Sequence, residues 1–202
     1  MFTGIIEAKG IIKKIYRTKN NLTFAIESEL TPELKVDQSL AHNGICLTIE
    51  AVNNIEYSVT AIAETIQKTN IQNWQEGSII NLERCLQMNG RIDGHIVQGH
   101  VDTTLICTNK IDQNGSWEFE FELKNEDAAL VIEKGSICIN GISLTAFNVL
   151  KNSFKVAIIP YTYMHTNIHQ LQIGERVNCE FDMIGKYLYR YKNLLTTQLQ
   201  YI

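Results

Sequence analysis

The sequence predicts an all-β protein: two similar small antiparallel barrels in tandem, then a C-terminal helix. Three observations carry that reading. The chain contains an internal repeat, its strands show period-two alternation, and its last segment has helical apolar spacing. Residues 37–84 fall on residues 134–181 at a constant offset of 97, with 17 identities in 48 positions, where unrelated chains would share roughly three. Asn43-Gly44-Ile45-Cys46-Leu47-Thr48 meets Asn140-Gly141-Ile142-Ser143-Leu144-Thr145, and Thr69-Asn70-Ile71 meets Thr166-Asn167-Ile168. Gly77, Asn81 and Glu83 meet Gly174, Asn178 and Glu180, and near the start Thr3-Gly4-Ile5-Ile6 meets Gln98-Gly99-His100-Val101 at an offset of 95. A period that long, seen twice, is a duplicated domain. We therefore divide the chain into a barrel over 1–96, a second over 97–182, and a helix over 183–202.

Taken in order, the elements follow from local pattern. Leu22, Phe24 and Ile26 alternate with Thr23, Ala25 and Glu27, and Ile55, Tyr57 and Val59 alternate likewise. Trp117, Phe119, Phe121 and Leu123 alternate with three glutamates. Period two is the signature of a half-buried antiparallel strand. Asn43-Gly44, Asn114-Gly115 and Asn140-Gly141 predict tight turns. Thr31-Pro32 reads as a helix N-cap with proline at the first helical position, and 63–74 as a short helical stretch. So many short strands in about 95 residues favour closure, which removes exposed edges. In the tail, Ile184, Leu188, Tyr191 and Leu195 are spaced 4-3-4, a stripe that seeks a partner. The first repeat has no counterpart to it, so we expect the tail to support self-association.

Composition excludes several classes. With 18 Lys+Arg, 22 Asp+Glu and a net charge of −4, no basic stripe favours nucleic acid. No apolar run approaches the roughly 18–20 residues of a membrane span. MFTGIIEAKG lacks the basic n-region and cleavage site of an export signal, so a cytoplasmic protein is expected. Five cysteines, never in CxxC spacing, read as free thiols. Cys85, Cys107, Cys138 and Cys179 are expected to be small core side chains. No metal site is expected: His165 and His169 lie at i, i+4, and His95 and His100 flank Gln98-Gly99, but neither pair has the acidic or thiol complement of a metal motif. Ser143, His100 and Asp182 supply the residue types of a hydrolase triad, but Ser143 is not in a GxSxG elbow. Nothing resembles a phosphate-binding glycine loop.

Two similar barrels imply two similar pockets, and their differences carry the chemistry. Cys46 stands where the second half has Ser143, Ile5 where it has His100, and Ala63-Glu64 where it has Pro160-Tyr161. Such a pair suggests two molecules of one compound held in different roles.

MFTGIIE, SLAHNGICLT, GHIVQGHVD, GISLT and the 158–182 stretch IIPYTYMHTNIHQLQIGERVNCEFD together resemble the riboflavin synthase alpha-chain family, built of two lumazine-binding repeats, over essentially the whole length. GHIVQGHVD beside the duplicated NGxxLT is the most specific part. The resemblance implies two six-stranded Greek-key barrels and a C-terminal helix that assembles a homotrimer. It implies dismutation of two molecules of 6,7-dimethyl-8-ribityllumazine without a cofactor, where one barrel faces its neighbour's, and an association with lumazine synthase. His100 is then the leading proton-transfer group, with Cys46, Ser143 and Phe2 as further catalytic candidates. Gly4, Ile5, Ile6, Gly99 and Val101 would line the pterin beside Leu47, Thr48, Leu144 and Thr145. Thr60, Ala61, Ile62, Ala63, Glu64 and Thr65, with Ile159, Pro160, Tyr161, Thr162, Tyr163 and Met164, would hold the ribityl chain. Ser39, Lys134 and Asp182 occupy polar family positions. The chain departs from the usual pattern at Tyr161, where an acidic residue or histidine more often follows the proline. Non-catalytic antenna proteins that bind lumazine or flavin share the duplicated fold. They tend to lose the polar pocket residues of one repeat, whereas Phe2, Cys46, His100, Ser143 and Thr145 are all present here.

Overall fold

A computed structural model describes the backbone of residues 1–199 and side chains through residue 195. In the first barrel the strands are β1 (Ala8–Thr18), β2 (Asn21–Ser28), β3 (Ser39–His42), β4 (Ile45–Val52), β5 (Glu56–Ala61) and β6 (Ile79–Arg84). In the second they are β7 (Thr103–Asp112), β8 (Trp117–Glu122), β9 (Ser136–Ile139), β10 (Ile142–Phe147), β11 (Ser153–Ile158) and β12 (Arg176–Phe181). Both close antiparallel, in the order β1-β2-β5-β4-β3-β6 and its equivalent in the second. Three consecutive hairpin-linked strands beside an earlier one make each a Greek key. Helices α1 (Ala63–Lys68) and α2 (Pro160–His165) follow the fifth strand of each barrel, and α3 (Met183–Leu199) ends the described chain. The last residues of the expected tail helix, 200–202, lie outside the described residues.

The alternating residues do what their period demands. Phe24, Ile26, Tyr57 and Val59 fill one core, and Phe119, Phe121, Phe154 and Val156 the other. Ile55 is an exception: it precedes β5 and is exposed, its N–H held by Asn53 Oδ1 in a local turn. Thr31-Pro32 does not begin a regular helix but lies in a single 3-10 turn, Thr31–Glu33, which Leu30 precedes as cap. Thr31 Oγ1 instead accepts the Ser28 N–H. Cys107, Cys138 and Cys179 are buried, but Cys85 is exposed beyond the end of β6 and donates to the Ser39 carbonyl at 3.3 Å.

The repeated asparagines form the seam between the barrels. Asn70 N–H donates to Asn178 Oδ1 and Asn167 N–H to Asn81 Oδ1, both at 2.7 Å. Asn81 Nδ2 reaches the Asn140 carbonyl and Asn178 Nδ2 the Asn43 carbonyl, both at 2.9 Å. All six side chains are buried, and such amides are stable inside a protein only when bonded. At the centre of this seam the two Asn-Gly turns touch. Each has positive φ at both residues, the two-residue geometry matched to strand twist. A Cβ on Gly44 would stand 2.8 Å from the Gly141 nitrogen, and the reverse contact has the same length.

The stripe on α3 is not covered by the chain's own barrels. Ile184, Leu188, Tyr191 and Leu195 are 42–64% exposed.

Candidate active site

Two glycine loops cross the seam in opposite directions. The N-terminal loop is anchored by Glu83, whose carboxylate accepts Thr3 N–H at 2.6 Å and Gly4 N–H at 3.0 Å. Its Gly4 carbonyl then accepts Ser143 N–H from the second barrel at 2.7 Å, and Ile6 packs on that barrel's core. The equivalent loop hangs on Glu180, which accepts Gln98, Gly99 and His100 N–H at 2.7, 2.9 and 3.0 Å. Its Gly99 carbonyl accepts Cys46 N–H from the first barrel at 2.9 Å, and Val101 packs on the first core. Phe2 and Val97 pair through two backbone bonds where the loops pass. Glycine is required at both crossings. Gly4 and Gly99 have φ of +76° and +81°, and a Cβ on either would stand 2.6 Å from Ser143 Cβ or Cys46 Cβ.

Each barrel thus carries a half-site walled by the other repeat's loop. In the first, Ser39, Cys46 and Thr48 lie on adjoining strands, and Thr60 to Thr65 run from the end of β5 into α1. Thr60 Oγ1 donates to Glu50 at 2.8 Å, while Ile62 and Glu64 are exposed. In the second, Ser143 and Thr145 lie on β10 and Ile159 to Met164 run into α2. Tyr163 stacks on Trp117 with centroids 3.6 Å apart, and the exposed Tyr161 stacks on His165 at 4.0 Å. Lys134 is exposed in the left-handed region, its amine 5.3 Å from the Phe147 ring. Leu47, Ala61 and Leu144 turn their side chains into the barrel cores, and Phe2 is buried with Ala41, Val97 and Cys138. Ile5 and His100, equivalent in the repeats, are both exposed.

The serine of the second half-site has a partner that sequence reasoning missed. His95 Nδ1 lies 2.7 Å from Ser143 Oγ. Ser143 is therefore joined to His95, whereas His100 belongs to the loop beside Cys46. The available signal was GHIVQGH itself, which holds two histidines five residues apart. Burial lowers the His95 pKa, while the negative charge of Asp182 opposes that shift. Asp182 also takes the Ile184 N–H at 2.9 Å, at the start of α3. Cys46 differs: burial raises its thiol pKa, against an opposing hydrogen bond with Ser39. It is a neutral thiol near pH 7, not the thiolate that nucleophilic attack needs. His165 and His169 donate Nδ1–H to the Tyr161 and Thr166 carbonyls, and no cluster suited to a metal occurs among the described residues.

Twinned six-stranded barrels that lend each other a glycine loop define a duplicated-barrel protein. The family model described as lumazine binding domain matches residues 3–85 and again 98–182, and the chain belongs to that family. It is 38% identical over 192 residues to riboflavin synthase of Bacillus amyloliquefaciens, covering 95% of this chain and 89% of the relative. Riboflavin synthase of Saccharomyces cerevisiae is 33% identical over 213 residues, covering 99% of this chain and 89% of that protein. Crystal structures of LumP with bound 6,7-dimethyl-8-(1'-D-ribityl) lumazine and with riboflavin match at TM-scores of 0.81 and 0.84. Each covers 90% of this chain and 99% of LumP, but at 20% and 19% identity they speak for the fold alone.

Proposed function

We propose that this protein is an enzyme that dismutates two molecules of 6,7-dimethyl-8-ribityllumazine. One donates a four-carbon unit to the other, giving riboflavin and 5-amino-6-(ribitylamino)uracil. The observation that carries the reading is the reciprocal loop exchange. It places different polar groups at equivalent positions of the two repeats, Cys46 beside the His100 loop in one and Ser143 with His95 in the other. Equivalent positions with unequal polar groups suit two copies of one compound held in unequal roles. The curated relatives, named riboflavin synthase, support the same chemistry.

The catalytic effect is mainly positioning. Holding two flat rings face to face replaces a bimolecular encounter and can lower the barrier by roughly 7–11 kcal/mol. Proton transfer at the acidic C7 methyl of one lumazine falls to His100, and the Ser143–His95 pair activates the group that meets C7 of the other. Each such acid–base contribution is worth about 10²–10⁴-fold. The uncovered stripe on α3 supports a homotrimer in which the first barrel of one subunit faces the second barrel of its neighbour.

The test is incubation of the purified protein with the lumazine, following riboflavin absorbance. Riboflavin and the pyrimidine should form in equal amounts. Bound lumazine without turnover would overturn the assignment in favour of a ligand-carrying antenna. Truncation before Ile184 should leave barrels that bind lumazine but turn over poorly, and a monomeric, fully active truncation would refute the shared site.

A further inference from the structure

The two repeats satisfy the same carboxylate differently, and the difference leads to α3. In the first repeat Glu7 accepts Arg84 N–H at 3.1 Å and Arg84 Nε at 2.6 Å, while Arg84 Nη1 reaches Glu33 at 2.6 Å. The barrel's own sixth strand supplies the cation. In the second repeat Asp102 stands for Glu7, Phe181 for Arg84 and Leu130 for Glu33. Phe181 still gives Asp102 its backbone N–H, at 2.9 Å, but has no charge to give. The cation comes from α3: Lys186 Nζ lies 3.1 and 3.0 Å from the two Asp102 oxygens, and both side chains are about three-quarters buried. Gly185 of α3 approaches the Leu130 carbonyl. Where the first barrel exposes an ion-pair cluster of its own, the second pairs its carboxylate with the helix.

Asp102 closes the loop that carries His100. Glu180 holds its near end through three amides, the Asp102 N–H donates to the Cys179 carbonyl, and between them Gly99 bonds Cys46. The pair ties the far end of the loop to α3, and removing either partner would leave the other's charge partly buried and unpaired. We propose that Lys186 is a positioning residue: by pairing with Asp102, the first turn of α3 fixes the His100 loop against the first barrel's half-site. The helix then sets catalytic geometry directly, separately from any part in assembly. The catalytic consequence rests on the proposed function, whereas the ordering of the loop does not.

Hydrogen exchange followed by mass spectrometry, with kinetics on the same full-length samples, tests this. In Lys186→Met the amides of residues 98–101 should exchange several-fold faster, with those of the Glu83-anchored loop unchanged. The kcat should fall about tenfold while KM stays within about twofold, as expected for a displaced catalytic group. Asp102→Asn should do the same, Lys186→Arg should restore both readouts, and Arg84→Met should leave 98–101 unaffected. Unchanged exchange in both Lys186→Met and Asp102→Asn would overturn the inference. Faster exchange with unaltered kcat would overturn its catalytic part. A wild-type protein that makes no riboflavin would instead defeat the proposed function, with the exchange result still deciding the loop.

Discussion

Ser143 Oγ and His95 Nδ1 are 2.7 Å apart, although 48 residues separate them in the chain. In the first repeat Cys46 stands at the position equivalent to Ser143, so the serine of this pair belongs to the second half-site alone. With its pKa lowered by burial, His95 is neutral near pH 7 and its unprotonated nitrogen can take the serine proton. Ser143→Ala and His95→Gln should each lower kcat about 10–100-fold, and the double variant should lose little more than either alone. A double-mutant cycle on kcat checks this. Additive losses would mean that the two side chains act separately.

His100 is exposed beside the Gly99–Cys46 crossing, where a substrate ring can reach it without rearrangement of the core. His100→Ala should lower kcat by about 100-fold or more, with the lumazine Kd changed by less than about threefold, because proton transfer matters in the transition state. Stopped-flow turnover beside equilibrium fluorescence titration measures both. Equal losses in the two would reduce His100 to a binding group.

Deep in the first barrel His42 Nε2 meets the Tyr57 hydroxyl at 3.0 Å, where the second barrel has the apolar pair Ile139 and Phe154. Burial pushes the His42 pKa down to about 4. The unfolded chain takes up its proton near 6.5, so the folded state binds fewer protons between those values and stability falls as pH drops from 6.5 to 4. The loss should reach about 3 kcal/mol. The double substitution His42→Ile with Tyr57→Phe, which copies the second barrel, should flatten that part of the profile. Urea unfolding at several pH values tests it, and an unchanged slope in the double variant would exclude His42 as the source.

Gly44 and Gly77 both have positive φ, but only Gly44 is crowded, against Gly141 across the seam. Gly77→Ala should therefore cost about 1 kcal/mol, the backbone strain alone. Gly44→Ala adds an overlap with backbone that cannot yield, and should cost about 2–4 kcal/mol. Comparable unfolding midpoints for the two would show that the seam can open without penalty.

Much of the architecture could be read from the sequence because strand period, Asn-Gly turns and the offset of 97 are local or self-referential signals. The duplicated identities also held more than ligand chemistry. Asn43, Asn70, Asn81 and their equivalents recur because each repeat must present the same amides to the other across a twofold-like seam. Alternation misplaced Ile55 because a turn overrode it, and Thr31 because the chain has room there for only one tight turn. Burial of Cys85 was expected from its residue type, but β6 ends just before it and its side chain is exposed.

By itself, the sequence determined that there are two barrels, that they are alike, that a helix follows, and which loops and strand ends carry polar groups. Those are consequences of side-chain period and of a repeat, both visible along one dimension. Only the tertiary structure decided that each glycine loop serves the other barrel, that Ser143 pairs with His95 rather than His100, and that α3 supplies the cation missing from β12. These contacts join residues from 48 to 139 positions apart. No local propensity encodes such a meeting; it follows from closing two barrels and packing them face to face.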